Sequence, residues 1–98
     1  MHAPHLLDVE VAHAMRRWVF QGGLTARRGR EALEDFESLS IERYPHGPLI
    51  PRIWELRESV TAYDAAYLAL AEVLDAPLVT RDARLARATG HAASIELV

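Results

Sequence analysis

An α/β fold with parallel strands is what this sequence predicts, and three observations lead there. Short apolar runs, PLVT and SIELV, alternate with helix-length amphipathic segments, which is the pattern of βα units rather than of a helical bundle. One helical stretch, TAYDAAYLALAEVL from Thr61 to Leu74, has apolar residues on nearly every side and only Glu72 as a charge between Ala65 and Leu74, so it belongs in an interior. The chain has 98 residues, 50% of them hydrophobic, enough for one domain, over 1–98, around one core.

Taken in order, Pro4 suits the first turn of a helix in which Leu7, Val11, Ala14 and Trp18 recur at helical spacing, with Arg16 opposite. The Gly22-Gly23 pair ends it. Thr25 is placed to cap a second helix, ARRGREALEDFE, which stops near Ser38 to Ser40 and reads as a solvent-facing hairpin partner of the first. Ile41 to Tyr44 reads as a short strand closed by Pro45, His46 and Gly47. Pro48 and Pro51 permit a helix from about Leu49 to about Glu58. The buried helix follows from Thr61 and ends at Asp75, Ala76 and Pro77. PLVT is then a buried strand, ARLARAT a short helix after Asp82, and SIELV the last strand.

Composition narrows the chemistry. There is no cysteine, which excludes disulfides and thiolate metal sites and leaves carboxylates, histidines and carbonyls as ligands. The net charge of −3 argues against binding polyanions by overall charge, so any nucleic-acid contact must be local. All eleven basic residues are arginine, whose planar fork suits phosphate oxygens, although codon bias is the weightier explanation of the choice. The longest purely apolar run, Ala65 to Ala71, falls far short of the roughly 20 residues of a membrane span, and no signal segment opens the chain. A soluble, cytoplasmic protein is the expectation.

Three carboxylates stand where helices begin. Thr61 and Asp64 fit a capping box, the reading the motif alone favours, and Asp64 also fits a metal ligand or catalytic carboxylate at the mouth of a dry place. Glu10 lies on the margin of the first helix's apolar stripe, poised to be half buried, while Asp8 is the plainer partner of the helix dipole. Asp82 sits where the carboxyl end of PLVT turns into a helix, the edge at which parallel sheets bind ligands, and it is also a good N-cap. Thr80 either adds a hydroxyl to that site or satisfies the turn. Carboxylates from separate elements are how hard cations such as Mg²⁺ or Mn²⁺ are held for phosphodiester hydrolysis. Arg81, Arg84 and Arg87, spaced three apart, line the rim for an RNA or DNA backbone or form a solvated helix face. The five histidines, His2, His5, His13, His46 and His91, read as surface residues.

The segments APHLLDVEVAHAMRR, TAYDAAYLALAE and PLVTRDARLARA, occurring in that order, resemble the PIN-domain ribonucleases, specifically the VapC toxins of bacterial toxin–antitoxin pairs. The resemblance implies a Rossmann-like, three-layer α/β/α fold with a parallel sheet and a Mg²⁺- or Mn²⁺-dependent endoribonuclease. It further implies a homodimer neutralised by a VapB-type antitoxin. On these motifs Glu10 matches the acid of the L-x-x-x-E-V helix, Asp64 that of the A-Y-D-A helix, and Asp82 the last acid of the T-x-D turn, with Thr80 in support. The first acid of the family pattern, at the end of an opening strand in a V-D-A-S-like motif, has no counterpart. The expectation is therefore an N-terminally truncated PIN domain lacking the first strand and the helical segment after it, with weakened metal binding and an inactive chain as one outcome. Two other readings stand beside the nuclease. One is a non-catalytic PIN remnant that binds an antitoxin or partner, and the other a small helical interaction domain with three ordinary caps.

Overall fold

The computed structural model describes residues 1–98 and divides them into two compact units, Met1–Tyr44 and Pro45–Val98. In the first unit Pro4 does not open a helix. It ends a short strand, β1 (His2–Pro4), which pairs in parallel with β2 (Glu42–Tyr44), His2 opposite Glu42 and Pro4 opposite Tyr44. A proline at the end of a strand removes no needed ladder donor there, and the next residue's N–H still reaches Tyr44 O at 2.9 Å. Helix α1 (Leu6–Phe20) starts two residues later and is followed by α2 (Ala26–Glu37), the two packing as a hairpin. Leu7, Val11, Met15 and Val19 form a half-buried stripe on α1, whereas Ala14 and Trp18, expected in the stripe, are exposed. The hairpin turns at Gly22, whose φ of 81° only glycine adopts without strain. Gly29 is buried in α2 where a Cβ would lie 3.3 Å from Val19, so its lack of a side chain lets the helices approach.

Arg43 ties this unit together. Its Nε donates to both oxygens of Asp8 at 2.8 and 2.9 Å, its Nη1 donates to Ile41 O at 3.2 Å, and its guanidinium lies 5.6 Å from the centre of the Phe36 ring. Asp8 is thus more than the helix-dipole acid its position suggested, since it joins α1 to β2 through a charge-assisted bond.

The second unit begins with a 3-10 turn (Gly47–Leu49) that runs into α3 (Ile50–Glu55), the prolines standing at the starts of these segments where their missing N–H is harmless. Helix α4 (Ala62–Leu74) buries Ala65, Ala66, Leu68, Ala69, Leu70 and Ala71, as its apolar circumference predicts. It ends at Asp75 in the left-handed region, φ 50°. Strand β3 (Leu78–Thr80), helix α5 (Ala83–Ala86) and strand β4 (Ile95–Leu97) complete the unit, β3 and β4 pairing in parallel with Leu78 opposite Ile95. Val79 is 58% exposed, so PLVT is a half-exposed strand and not the buried one its composition suggested. Leu56, Ala65, Leu68 and Leu85 form the core, with Ile53, Val60, Leu78 and Ile95 packed against it. The architecture is therefore α/β with parallel strands, arranged as two separate two-stranded sheets. No helix is long and apolar enough to cross a membrane.

Candidate active site

Asp64 occupies the first turn of α4, three residues after the N-cap Thr61, whose extended backbone (φ −65°, ψ 160°) lets its hydroxyl accept from the Asp64 N–H at 3.2 Å. A full capping box would return a bond from the Asp64 carboxylate to the Thr61 N–H. That return is absent, and the carboxylate carries no hydrogen bond or ion pair. Thr61 thus does the capping alone. Asp64 is half-buried, and the next residue, Ala65, is wholly buried, so the carboxylate stands at the edge of the core as the greasy helix predicted.

Asp82 is fixed by a different device. Its backbone N–H donates to Thr80 Oγ1 at 3.0 Å, and its Oδ1 accepts from the N–H groups of Arg84 and Leu85 at 2.9 and 3.4 Å, capping α5. Arg84 Nη2 reaches Oδ2 at 3.4 Å. Thr80 thereby satisfies the turn, and the Arg84 guanidinium, followed by the backbone donors, holds the Asp82 carboxyl below its ordinary value of 3.8. Asp82 is anionic at neutral pH, with one oxygen committed to capping and the other only loosely held.

These two carboxylates line one cavity of about 440 Å³, together with Arg57, Glu58, Thr61, Arg84 and their neighbours. Arg57 and Glu58 escaped the sequence reading. They end the turn after α3, where Ser59 and Val60 N–H groups fold back onto Leu56 O at 2.9 and 3.1 Å, and their position just before the Thr61 cap was the signal that placed them beside Asp64. Arg57 is steadied by its own Nη1 bond to Trp54 O at 2.9 Å and by the Trp54 ring 4.6 Å away. Of the arginines expected at the rim, Arg84 lines the cavity, while Arg81 and Arg87 are exposed and outside its lining. Glu10 belongs to the first unit, on α1, and is exposed rather than half-buried. The five histidines enter no such cluster, and His91 spans a turn, its Nδ1 accepting from Ala93 N–H at 3.1 Å.

Neither unit by itself draws together three or more His, Asp or Glu side chains in the manner of a metal centre. What the cavity offers is an all-oxygen donor set, Asp64 and Asp82, with Glu58 in the same wall. That set suits a hard cation of the Mg²⁺ or Mn²⁺ kind, which keeps several waters and takes one or two protein carboxylates. It does not suit zinc, which calls for nitrogen or sulfur ligands.

The chain is similar to known proteins along most of its length. The model of the PIN domain family matches residues 1–90. Ribonuclease VapC1 of Mycobacterium tuberculosis is 51% identical over 98 residues, spanning 99% of this chain and 74% of that protein. A VapC ribonuclease of Mycobacterium bovis is 48% identical over 92 residues, 94% of this chain and 72% of that one. Ribonuclease VapC12 of Mycobacterium tuberculosis is 44% identical over 98 residues, 100% of this chain and 76% of that protein. With the family model matched over residues 1–90 and a relative 51% identical over 99% of the chain, the chain belongs to the PIN-domain family, among the VapC proteins.

Proposed function

We propose that this protein is an endoribonuclease of the VapC kind, a cytoplasmic toxin that hydrolyses RNA phosphodiester bonds and is held in check by a VapB-type antitoxin. The single observation that carries the reading is the half-buried Asp64 carboxylate, left without a partner of its own in a cavity it shares with Asp82. Leaving a partly desolvated carboxylate unpaired costs stability, and a positive ligand relieves that cost. Asp64 and Asp82 would hold a divalent cation, Mg²⁺ or Mn²⁺, and Glu10 is the acid of the first unit that matches the family motif. A bound cation of this type supplies an activated water and neutralises charge on the phosphate.

The chain's own groups do the rest. Asp82 is kept ionised by Arg84 and the backbone at the start of α5, so it enters the reaction already charged. Thr80 fixes the turn that carries it. Arg57 and Arg84 place two guanidiniums at the cavity to receive phosphate oxygens, and Arg81 and Arg87 extend that positive rim along the exposed face. A homodimer is the assembly this reading carries with it.

The test is Mn²⁺-dependent cleavage of a mixed RNA pool by the 98-residue chain beside an Asp64→Asn variant purified identically. Cleavage by the first and not by the second supports the assignment, and equal cleavage by both rejects it. A second reading is a PIN protein that binds its antitoxin without cutting. Calorimetric titration showing partner binding with no heat from Mn²⁺ selects that reading.

A further inference from the structure

The tip of the α1–α2 hairpin carries a charge pattern that suits the last turn of α1, where Arg17 meets the negative end of the dipole, but that the folding of α2 does not explain. Between Met15 and Arg30 stand five arginines, Arg16, Arg17, Arg27, Arg28 and Arg30, and no acid, so the rest of the chain holds six arginines against fourteen acids, a balance of −8. The short connection makes the two helices antiparallel, which brings the last turn of α1 and the first turns of α2 to one end. All five arginines are exposed there, the side chain of Arg27 by 89% and that of Arg28 by 66%. Glu31 pairs with Arg27 and Arg28, and no acid pairs with Arg16, Arg17 or Arg30.

In α2 the pattern runs against the helix. Its first turn has no acid and its last turn no base, with Arg27, Arg28 and Arg30 near the positive end of the dipole and Glu34, Asp35 and Glu37 near the negative end. Both placements weaken a helix. Nor do the arginines serve packing, since they are exposed and the hairpin closes through Gly29 and Val19.

Interleaved with them are two flat rings. Phe20 is 72% exposed with the Arg16 guanidinium 4.5 Å over its face, and Trp18 is 49% exposed and lies against Gly23, where any Cβ would strike its Nε1. Guanidiniums that grip phosphate, set beside exposed rings on which bases stack, are the composition of a single-stranded nucleic-acid platform. An anionic membrane would instead select a continuous apolar face below the bases, and α2 has charges in every turn.

We propose that the α1–α2 hairpin tip is a second RNA-binding surface, separate in composition from the carboxylate cavity, in which Arg16, Arg17, Arg27, Arg28 and Arg30 hold the backbone and Phe20 and Trp18 stack bases. The proposal rests on the ribonuclease reading for the identity of the nucleic acid. It is tested by binding of a labelled, mixed-sequence single-stranded RNA in EDTA, which suspends metal-dependent cleavage, over a range of salt. The wild type is compared with the triple variant Arg27→Gln, Arg28→Gln, Arg30→Gln and with Phe20→Ala.

The expected result for the triple variant is a plot of log K against log salt shallower by about two, from three lost phosphate contacts, and affinity at least about tenfold lower at low salt. Its melting temperature should hold or rise, because the removed charges opposed the helix dipole, and this shows that the loss is not unfolding. Phe20→Ala should weaken binding about fivefold or more. Unchanged affinity and slope in the triple variant, no binding by the wild type, or binding to phosphatidylserine vesicles in place of RNA each overturns the proposal. The cleavage assay answers separately. Tip-dependent binding without Mn²⁺ cleavage removes the ribonuclease reading and leaves the surface standing, and cleavage with tip-independent binding does the reverse.

Discussion

Arg52 and Glu72 face each other as a two-bond fork, Nε to Oε1 at 2.8 Å and Nη2 to Oε2 at 3.0 Å, and so join α3 to α4. The same pair fastens the chain after α5, because Arg52 Nη2 also donates to Gly90 O at 2.9 Å and Glu72 Oε2 accepts from Ala92 N–H at 2.6 Å. Glu72 keeps 15% of its side chain exposed and Arg52 32%, so the bonds are partly shielded from water. The Arg52 bond is the main reason the Glu72 carboxyl lies below its ordinary value of 4.5. A carboxyl lowered on folding adds stability above its unfolded value and loses it as pH falls through the folded value. The expected outcome is that Glu72→Gln costs about 2 kcal/mol at pH 7 and little near pH 3, as charge-assisted bonds of this kind do. Urea melts at the two pH values check it, and an equal cost at both would refute the assignment.

Thr61 and Asp64 have divided the roles that a capping box shares. Thr61→Ala should lower stability by about 1 kcal/mol, since it removes the N-cap acceptor of α4. Asp64→Asn should stay within about 0.5 kcal/mol of wild type while abolishing cleavage, because no bond depends on its charge. Thermal melts and the RNA assay run on both variants check the pair. A large stability loss in Asp64→Asn would reduce Asp64 to a structural residue.

Much of this was legible beforehand, and the reasons differ by element. The circumference of apolar residues in α4 made its burial readable, and the separate T-x-D and A-Y-D-A acids were brought to one cavity as a parallel-strand edge demands. Local signals are self-contained in this way. Strand β1 was not legible, because Pro4 serves a helix start and a strand end equally and only pairing with Glu42–Tyr44, some forty residues away, decides between them. The exposure of Glu10, Ala14 and Trp18 depends on where the α1–α2 packing sets the buried stripe, which keeps Leu7 and Val11 but takes Met15 and Val19 in place of Ala14 and Trp18. Arg57 and Glu58 carry no motif and reach the cavity through a turn.

Divalent cation is expected to stabilise the protein by mass action. At 100 times its dissociation constant Mn²⁺ should add about 2.7 kcal/mol, seen as a rise in melting temperature that EDTA reverses. Asp64→Asn and Asp82→Asn should each lose most of the rise. Asn still caps a helix, so the Asp82 variant keeps its fold while losing charge. No shift in the wild type would remove the metal from the cavity.

Asp75 closes α4 at φ 50°, a conformation glycine enters without steric cost. Asp75→Gly should raise stability by about 0.5 kcal/mol, the left-handed strain relieved exceeding the added freedom of the unfolded chain. Differential scanning calorimetry checks the sign. A lowered melting temperature would mean that the Asp75 side chain makes a favourable contribution that outweighs its backbone strain.

Four of the six buried residues of α4 are alanines, and Ala65 and Ala69 are entirely enclosed. An alanine gives up no rotamers when it is shut in, so this helix is immobilised at little entropic expense beyond its backbone. Its amide hydrogens should accordingly exchange with deuterium only through the largest openings the unit undergoes, later than those of α5 or the strand ends. Asp64 would then ride on the last segment of its unit to open, and the carboxylate would keep its address through the smaller openings around the cavity.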